Sequence, residues 1–394
     1  MSTTDMYGST ESSPSSARWS DLPDELLGIV RVRLASPWAR VRLAAVCRAW
    51  RAASSRLPAP PAVPLLLVYK WTHLSGPKRL CGPVDGCVVR VPERAENMRF
   101  VGSHDGGWVA AVEYSKLVIM NLFSGAEVAL SIRSQSLYYI MPRKIIFSGD
   151  PTSSGCILAS NDKWRRFQIG VCKIGGGGSG WTAYQEDTLT DLGDIAFCNS
   201  ELYGLLHPGE KLVKFKIDME EDGTPVIKSS HRLAIKSRDG PTYENDTTAY
   251  NCHLFELHGK PSMAIQTRWL PSHEPFFKIF TLVDTNSVEA YKYKWVEVTS
   301  FGDHALFLGP FWSKAVHVAV DQHYGLERNH IYYTEHIHSR TTELPDDAMY
   351  SVTIAEHEYM YYKKDQNVGD GVERTGYYVT GGNNLGIWLY PPDL

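Results

Sequence analysis

Apolar residues recur at helical spacing in one place only, near the start of the chain. From Trp19 to Arg51 the sequence runs WSDLPDELLGIVRVRLASPWARVRLAAVCRAWR. Leu22, Leu26, Leu27, Val30 and Leu34 line one face of a first short helix. Pro23 suits its first turn, where the missing N–H costs nothing, and Asp24 and Glu25 put negative charge at the positive end of the helix dipole. Ser36 followed by Pro37 is a fresh start signal, a hydroxyl cap and then Pro at the first helical position. Leu43, Val46, Cys47 and Trp50 then form a second helical stripe at i, i+3, i+4 and i+7. So small a unit rarely stabilises itself with a lone apolar core. Both stripes therefore need a partner surface.

From Leu65 onward the period changes and stays changed. Short runs rich in Val, Ile, Tyr, Phe and Trp alternate with Gly, Asp, Asn and Pro turns, the pattern of an all-β domain built from hairpins. The spacing predicts strands at Trp108–Glu113 with Lys116–Leu122, and at Glu201–Leu206 with Lys211–Ile217. It also pairs Cys252–Leu257 with Phe276–Val283 across a long loop, and places later strands at Lys294–Val298, Ala305–Leu308, Val316–Val320 and His330–Thr334. A scheme of turn, aromatic-bearing strand, polar turn and second strand recurs at 105–125, 199–218 and 252–284. The first two copies start 94 residues apart, about two units of the ~40–50 residue period of propeller blades. Over about 330 residues that period implies a six- or seven-bladed β-propeller, in which radial repetition protects sheet edges. A pair of β-sandwiches is the rival, but no break in composition marks a second β domain.

The expected organisation follows. Residues 1–17 (MSTTDMYGSTESSPSSA) are Ser/Thr-rich with little to bury and are expected to be a disordered tail. Residues 18–57 form the helical unit, 58–64 (PAPPAVP) a stiff Pro-dense linker, and 65–394 the propeller. The hydrophobic share of 43% and aromatic share of 11% support a large core. A net charge of −4 gives no polyanion-binding signature, although residues 17–64 hold eight Arg, no Lys and three acidic residues, a local excess of +5. Seven cysteines, an odd number with no C-x-x-C pair, imply free thiols and a reducing compartment. No signal-peptide core and no run of ~18 apolar residues is present, so a soluble intracellular protein, cytoplasmic or nuclear, is expected.

Leu22-Pro23-x-x-Leu26-Leu27, followed by Val46-Cys47-Arg48-x-Trp50-Arg51, resembles the F-box, the helical motif that docks on Skp-type adaptors of cullin–RING ubiquitin ligases. The resemblance covers residues 19 to 57. It implies that Leu22, Pro23, Leu26, Leu27, Val30, Leu34, Val46, Cys47 and Trp50 contact the adaptor. A structural cap for the following domain would need only one apolar face. The stretch from Trp295 to Thr334, with 98–113 and 144–159, is similar to the C-terminal domain of a large group of plant F-box proteins. That domain, long catalogued as one of unknown function, is regarded as a kelch-like β-propeller. The Gly-rich insert Gly175–Gly180 departs from the pattern and suits a flexible loop tip.

No motif rises to a catalytic site. GGGGSG (175–180) lacks the Lys-Ser/Thr and the helix of a phosphate loop. His330, His336 and His338 cluster near Glu335, but their spacing fits no standard zinc pattern, and no metal or cofactor is expected. His104-Asp105 could be half of a hydrolytic triad, yet no G-x-S-x-G elbow supplies a nucleophile. Trp108, Trp181, Trp295 and Trp312 could stack on a sugar or peptide, and in β proteins such residues are more often core. The F-box resemblance implies a non-enzymatic substrate-recognition subunit of an SCF-type ubiquitin ligase, binding a Skp-type adaptor, through it a cullin, and a protein substrate; no nucleic acid or membrane partner is expected. The alternative is a propeller scaffold or inhibitor whose F-box-like segment is vestigial.

Overall fold

The computed structural model describes residues 19–34, 37–56, 63–70, 78–82, 88–113, 116–131, 142–162, 168–175, 180–189, 192–206, 211–236, 250–268, 275–285, 291–318, 326–336, 349–355, 358–365, 373–379 and 384–392. The tail at 1–17, most of the Pro-dense linker, the glycines at 176–178 and His338 lie outside these residues. Val63 and Pro64, the last linker residues, are buried beside the first strand.

The N-terminal unit holds three helices rather than two: α1 (Asp24–Arg33), α2 (Pro37–Ala45) and α3 (Arg48–Arg56). The second stripe is broken at Val46-Cys47, where Val46 N–H donates back to the Leu43 carbonyl and closes α2 with a tight turn. Cys47 then takes the cap position of α3, its Sγ accepting from Trp50 N–H at 3.5 Å. A short polarisable side chain can turn back onto an orphan helix-start donor, which the periodicity alone does not reveal. Leu27, Leu43 and Ala53, one from each helix, form the small interior. Arg40 is also buried, its Nε donating to the Leu34 carbonyl just past α1 at 2.9 Å. Trp50 Nε1 donates to the Trp19 carbonyl at 3.0 Å and ties the chain's entry to α3. The main packings of these helices are with one another.

The remaining strands form six sheets among the described residues. Blade 1 joins the end of the chain to its beginning: Asn384–Leu389 pairs antiparallel with Leu65–Lys70, followed by Arg79–Cys81 and Val88–Arg90. Blade 2 is Arg99–His104, Trp108–Glu113 and Lys116–Asn121. Blade 3 is Pro142–Phe147, Ile157–Asp162, Ile169–Lys173 and Thr182–Tyr184. Blade 4 is Leu192–Cys198, Glu201–Leu206, Lys211–Met219 and Pro225–Arg232. Blade 5 runs Tyr250–Leu257, Lys260–Arg268, Pro275–Asp284 and Tyr293–Glu297, with Ile235–Lys236 added in parallel at the far edge. Blade 6 is the widest, in the order Lys314–His317, His304–Leu308, His330–His336, Glu373–Val379, Glu358–Asp365 and Met349–Ala355.

Two expectations are corrected here. The loop expected between Cys252 and Phe276 contains the strand Lys260–Arg268, entered by a tight His258-Gly259 turn with both residues at positive φ. Its polar ends hid it: the Ser262–Gln266 centre is buried, while Lys260 at its start is exposed. The strand expected at Val316–Val320 is Lys314–His317, two residues earlier, with 319–320 outside the described residues.

Closure of the ring follows from strands buried on both faces. Alternate side chains of a strand point to opposite sides of the sheet. In Leu65–Val68, Leu65 and Leu67 pack on blade 2 residues such as Phe100 and Val109, while Leu66 and Val68 pack on blade 6 residues such as Phe307 and Tyr332. An unbroken apolar run is what a strand between two blades requires, where a half-exposed strand would alternate. Four more cores fill the gaps between blades 2 and 3, 3 and 4, 4 and 5, and 5 and 6. Trp388 locks the closure: its indole N–H donates to the Leu308 carbonyl of blade 6 at 2.9 Å, and its carbonyl accepts from Ser103 Oγ of blade 2 at 2.7 Å.

Between blades 2 and 3 the backbones almost touch. A Cβ on Gly102 would sit 2.0 Å from the Ile145 carbonyl oxygen, and the bulge between Phe100 and Gly102 sets that approach. Gly102→Ala should therefore lose at least about 1–3 kcal/mol, the usual cost of overpacking. Urea denaturation of the two proteins measures it. An unchanged midpoint would mean that blades 2 and 3 stand further apart.

Candidate functional site

The outer surface of α1 is the first candidate. The periodic stripe is split by the fold into two faces about 100° apart. Leu27 is 2% exposed and turns inward with Arg31, and Leu34 is half-buried beyond them. Leu26, Ile29 and Val30, at i, i+3 and i+4, are 47%, 49% and 39% exposed and form the other face. Leu22 is half-buried and Pro23 exposed at the start of that face. Val46, at the α2–α3 junction, is 60% exposed, whereas Cys47 and Trp50 are half-buried. Ile29, Val32 and Trp19 are also exposed apolar side chains. The sequence reading passed over all three, although Ile29 fits the i, i+3 spacing from Leu26. So many large apolar groups exposed on one small unit mark a binding surface.

The second candidate is the inner rim of the ring, where polar groups from all six blades meet. At the bulge between Leu192 and Asp194 in blade 4, Asp194 becomes a linking group. Its Oδ1 accepts from Lys144 Nζ of blade 3 at 2.8 Å and from its neighbour Ile195 N–H at 2.9 Å. Its Oδ2 accepts from Leu254 N–H of blade 5 at 2.8 Å. Both charged side chains are buried, 4% and 9% exposed, so the pair is held where solvent screens it little. Next to it, His253 of blade 5 lies 3.4 Å from Ser313 Oγ of blade 6. Lys314 of blade 6 then pairs with Asp105 of blade 2 and sits 5.3 Å over the Tyr390 ring that follows the closing strand. The Tyr390 carbonyl accepts from Gly107 N–H at 2.7 Å.

Two imidazoles on this rim are held below their ordinary pKa. For both His104 and His253 loss of solvation is the main cause, opposed by Asp105 and Asp194 and reinforced by Lys314 and Lys144, respectively. A base whose folded pKa is depressed binds protons better when unfolded. Its share of stability is complete above about pH 6.5 and is lost as the pH falls below that value. The wild type should therefore lose more stability than His253→Gln between pH 7.5 and 5.5 in urea denaturation. Equal losses would remove His253 from this account.

The remaining candidates lie elsewhere. Asp105 is taken by Lys314, so His104-Asp105 does not assemble as a triad pair. Trp295 and Trp312 are buried core residues, and Trp108 and Trp181 pack on the core between blades 2 and 3. His330 is buried at the start of its strand, beside Glu327 and Glu373, and His338 lies outside the described residues. The six cysteines described, Cys47, Cys81, Cys156, Cys172, Cys198 and Cys252, are free thiols.

Family comparisons decide what this arrangement is. A family model described as KIB1-4 beta-propeller matches residues 84–363, the greater part of the chain and nearly all of the ring. The chain belongs to the KIB1-4 beta-propeller family. A second model, described as F-box-like, matches residues 19–57, which are the three helices and the chain entering them. The family thus places a small helical F-box-like region before an all-β propeller, and that pairing fits a substrate-adaptor architecture. F-box domains generally bind Skp1-type adaptors, and F-box and propeller domains are typically interaction modules rather than catalysts. No curated protein matches the chain. Similar solved structures include the N-terminal domain of Nup159, at 9% identity over 75% of this chain and 62% of that one with a TM-score of 0.31. The WD40 domain of SCAP from fission yeast is similar at 10% identity over 79% and 80% of the two chains, with a TM-score of 0.30. The chain therefore spans less than two thirds of the Nup159 domain. Among the described residues no helix is long and apolar enough to cross a membrane.

Proposed function

We propose that this protein is the substrate-recognition subunit of an SCF-type ubiquitin ligase. The F-box-like helices dock on a Skp-type adaptor, and through it on a cullin, while the propeller holds a protein target. The observation that carries this reading is the apolar face of α1, Leu26, Ile29 and Val30, exposed together with Val46 of the α2–α3 junction, while Leu27, Leu43 and Ala53 are the buried apolar side chains of the unit among the described residues. An exposed apolar face of this size on so small a unit needs a partner, and Leu22 and Pro23 extend it. The chain contributes no bond chemistry in this role. It raises the effective concentration of the target beside the ubiquitin-charged enzyme. Free thiols throughout the described residues suit a reducing compartment, and we assign the protein to the cytoplasm or nucleus.

The test is reconstitution from purified parts. The full chain should capture a Skp-type adaptor directly and a cullin only when that adaptor is present. A chain that captures neither is a propeller protein with a vestigial F-box.

A further inference from the structure

The unusual width of blade 6 brings Glu373 onto Glu327 and His330, which lie three residues apart and more than 40 residues before it in sequence. His330–His336 pairs in parallel with both of its neighbours, His304–Leu308 and Glu373–Val379. His330 and Glu373 are direct register partners in that ladder. Glu327 returns to the same point through the turn that enters the strand. Its N–H donates to Tyr332 Oη at 2.9 Å, and Asn329 takes positive φ to make the turn. His330 Nδ1 therefore faces two carboxylates, 3.7 Å from Glu327 Oε2 and 3.9 Å from Glu373 Oε2. The imidazole is 1% exposed, and its other nitrogen, Nε2, is 2.8 Å from the buried Thr375 hydroxyl.

We propose that Glu327, His330 and Glu373 bind a divalent transition-metal ion. The tautomer that donates Nε2–H to Thr375 turns the Nδ1 lone pair toward both carboxylates, so three electron-rich ends converge on one point. Bonds of about 2.0–2.2 Å to one tetrahedral ion would set ligand atoms about 3.4 Å apart. The imidazole stands 3.7 and 3.9 Å from the two carboxylates, and all three ligand atoms lie within 4.8 Å of one another. The carboxylates, 45% and 50% exposed, have the freedom to close that gap. The imidazole is the fixed member, oriented by Thr375 as an outer hydrogen bond orients a metal-binding histidine. One imidazole and two carboxylates suit zinc or manganese better than copper(I), and three protein ligands leave a position for water. An ion here would clip a junction of parallel pairings, which are slightly weaker per residue than antiparallel ones. Of the His330, His336 and His338 set weighed in the sequence, His338 lies outside the described residues, and the present set is one that strand pairing assembles.

The experiment uses the full chain, stripped with EDTA and desalted, then titrated with zinc against a chromophoric chelator. One equivalent should bind, and Glu327→Gln and Glu373→Gln should each weaken it at least tenfold. Both positions are half-exposed, so neutral amides there keep the metal-free midpoint of urea denaturation, while the gain in stability on adding zinc shrinks. Asp303→Asn, which alters the nearby pair of His304 and His317 with Asp303, should leave zinc binding as it is. Failure to bind one equivalent overturns the site, as does equal affinity in both Gln variants or loss of binding in Asp303→Asn. None of these outcomes bears on adaptor capture.

Discussion

Replacing Asp194 by Ala is expected to destabilise the ring by about 3–5 kcal/mol, the cost of stranding one member of a buried ion pair. The carboxylate does more than neutralise Lys144, because its second oxygen holds Leu254 N–H and so spans blades 3, 4 and 5. Without it, a buried ammonium and a buried amide lose their acceptor together. Urea denaturation of the purified chain measures the loss, and a change below about 1 kcal/mol would show that the pair is solvated. A Lys144→Met, Asp194→Leu double variant should recover part of the loss, since replacing both members of a buried pair removes the uncompensated charge. It still leaves the Leu254 amide unmet, so recovery should stop short of wild type.

The largest functional effect is expected on the exposed face of α1. Leu26→Asp with Ile29→Asp should cut capture of a Skp-type adaptor by at least a hundredfold, because two interface anchors are each worth about 2 kcal/mol or more and 1.4 kcal/mol is tenfold. The denaturation midpoint of the ring should hardly move, since both side chains are about half exposed and belong to none of its cores. Leu27→Ala tests the other face. Leu27 is 2% exposed, so truncation should cost the helical unit about 2–5 kcal/mol and reduce capture only through partial unfolding. The Leu22→Ala, Pro23→Ala double variant should also abolish capture. Trp50→Ala should act by a mixed route, because its indole holds the chain's entry to α3. Wild-type capture by the double Asp variant would sink the adaptor reading. Early melting of the ring in that variant would instead make the helices a cap.

The sequence by itself determined the two textures of this protein and where they change. Helical spacing in 19–51 and the strand–turn rhythm after Leu65 depend on neighbours within a few residues, so one chain suffices to see them. The F-box-like character came from a resemblance carried by Leu22-Pro23-x-x-Leu26-Leu27 and Val46-Cys47-Arg48-x-Trp50-Arg51, and the propeller from a strand–turn scheme recurring at 105–125, 199–218 and 252–284. Tertiary structure alone decided which side of α1 faces out. Leu26 and Leu27 are equally apolar, and only packing within the helical unit, where α1 lies on α3, buries one and leaves the other. It likewise decided that Lys260–Arg268 is a strand, since its polar ends are carried by main-chain bonds to the strands on either side. The inner rim and the Glu327–His330–Glu373 cluster were invisible in the sequence for the same reason. Asp194 lies 50 residues from Lys144, and Glu373 meets His330 across a parallel pairing. Such contacts are fixed by the closing of the ring, which no local period encodes.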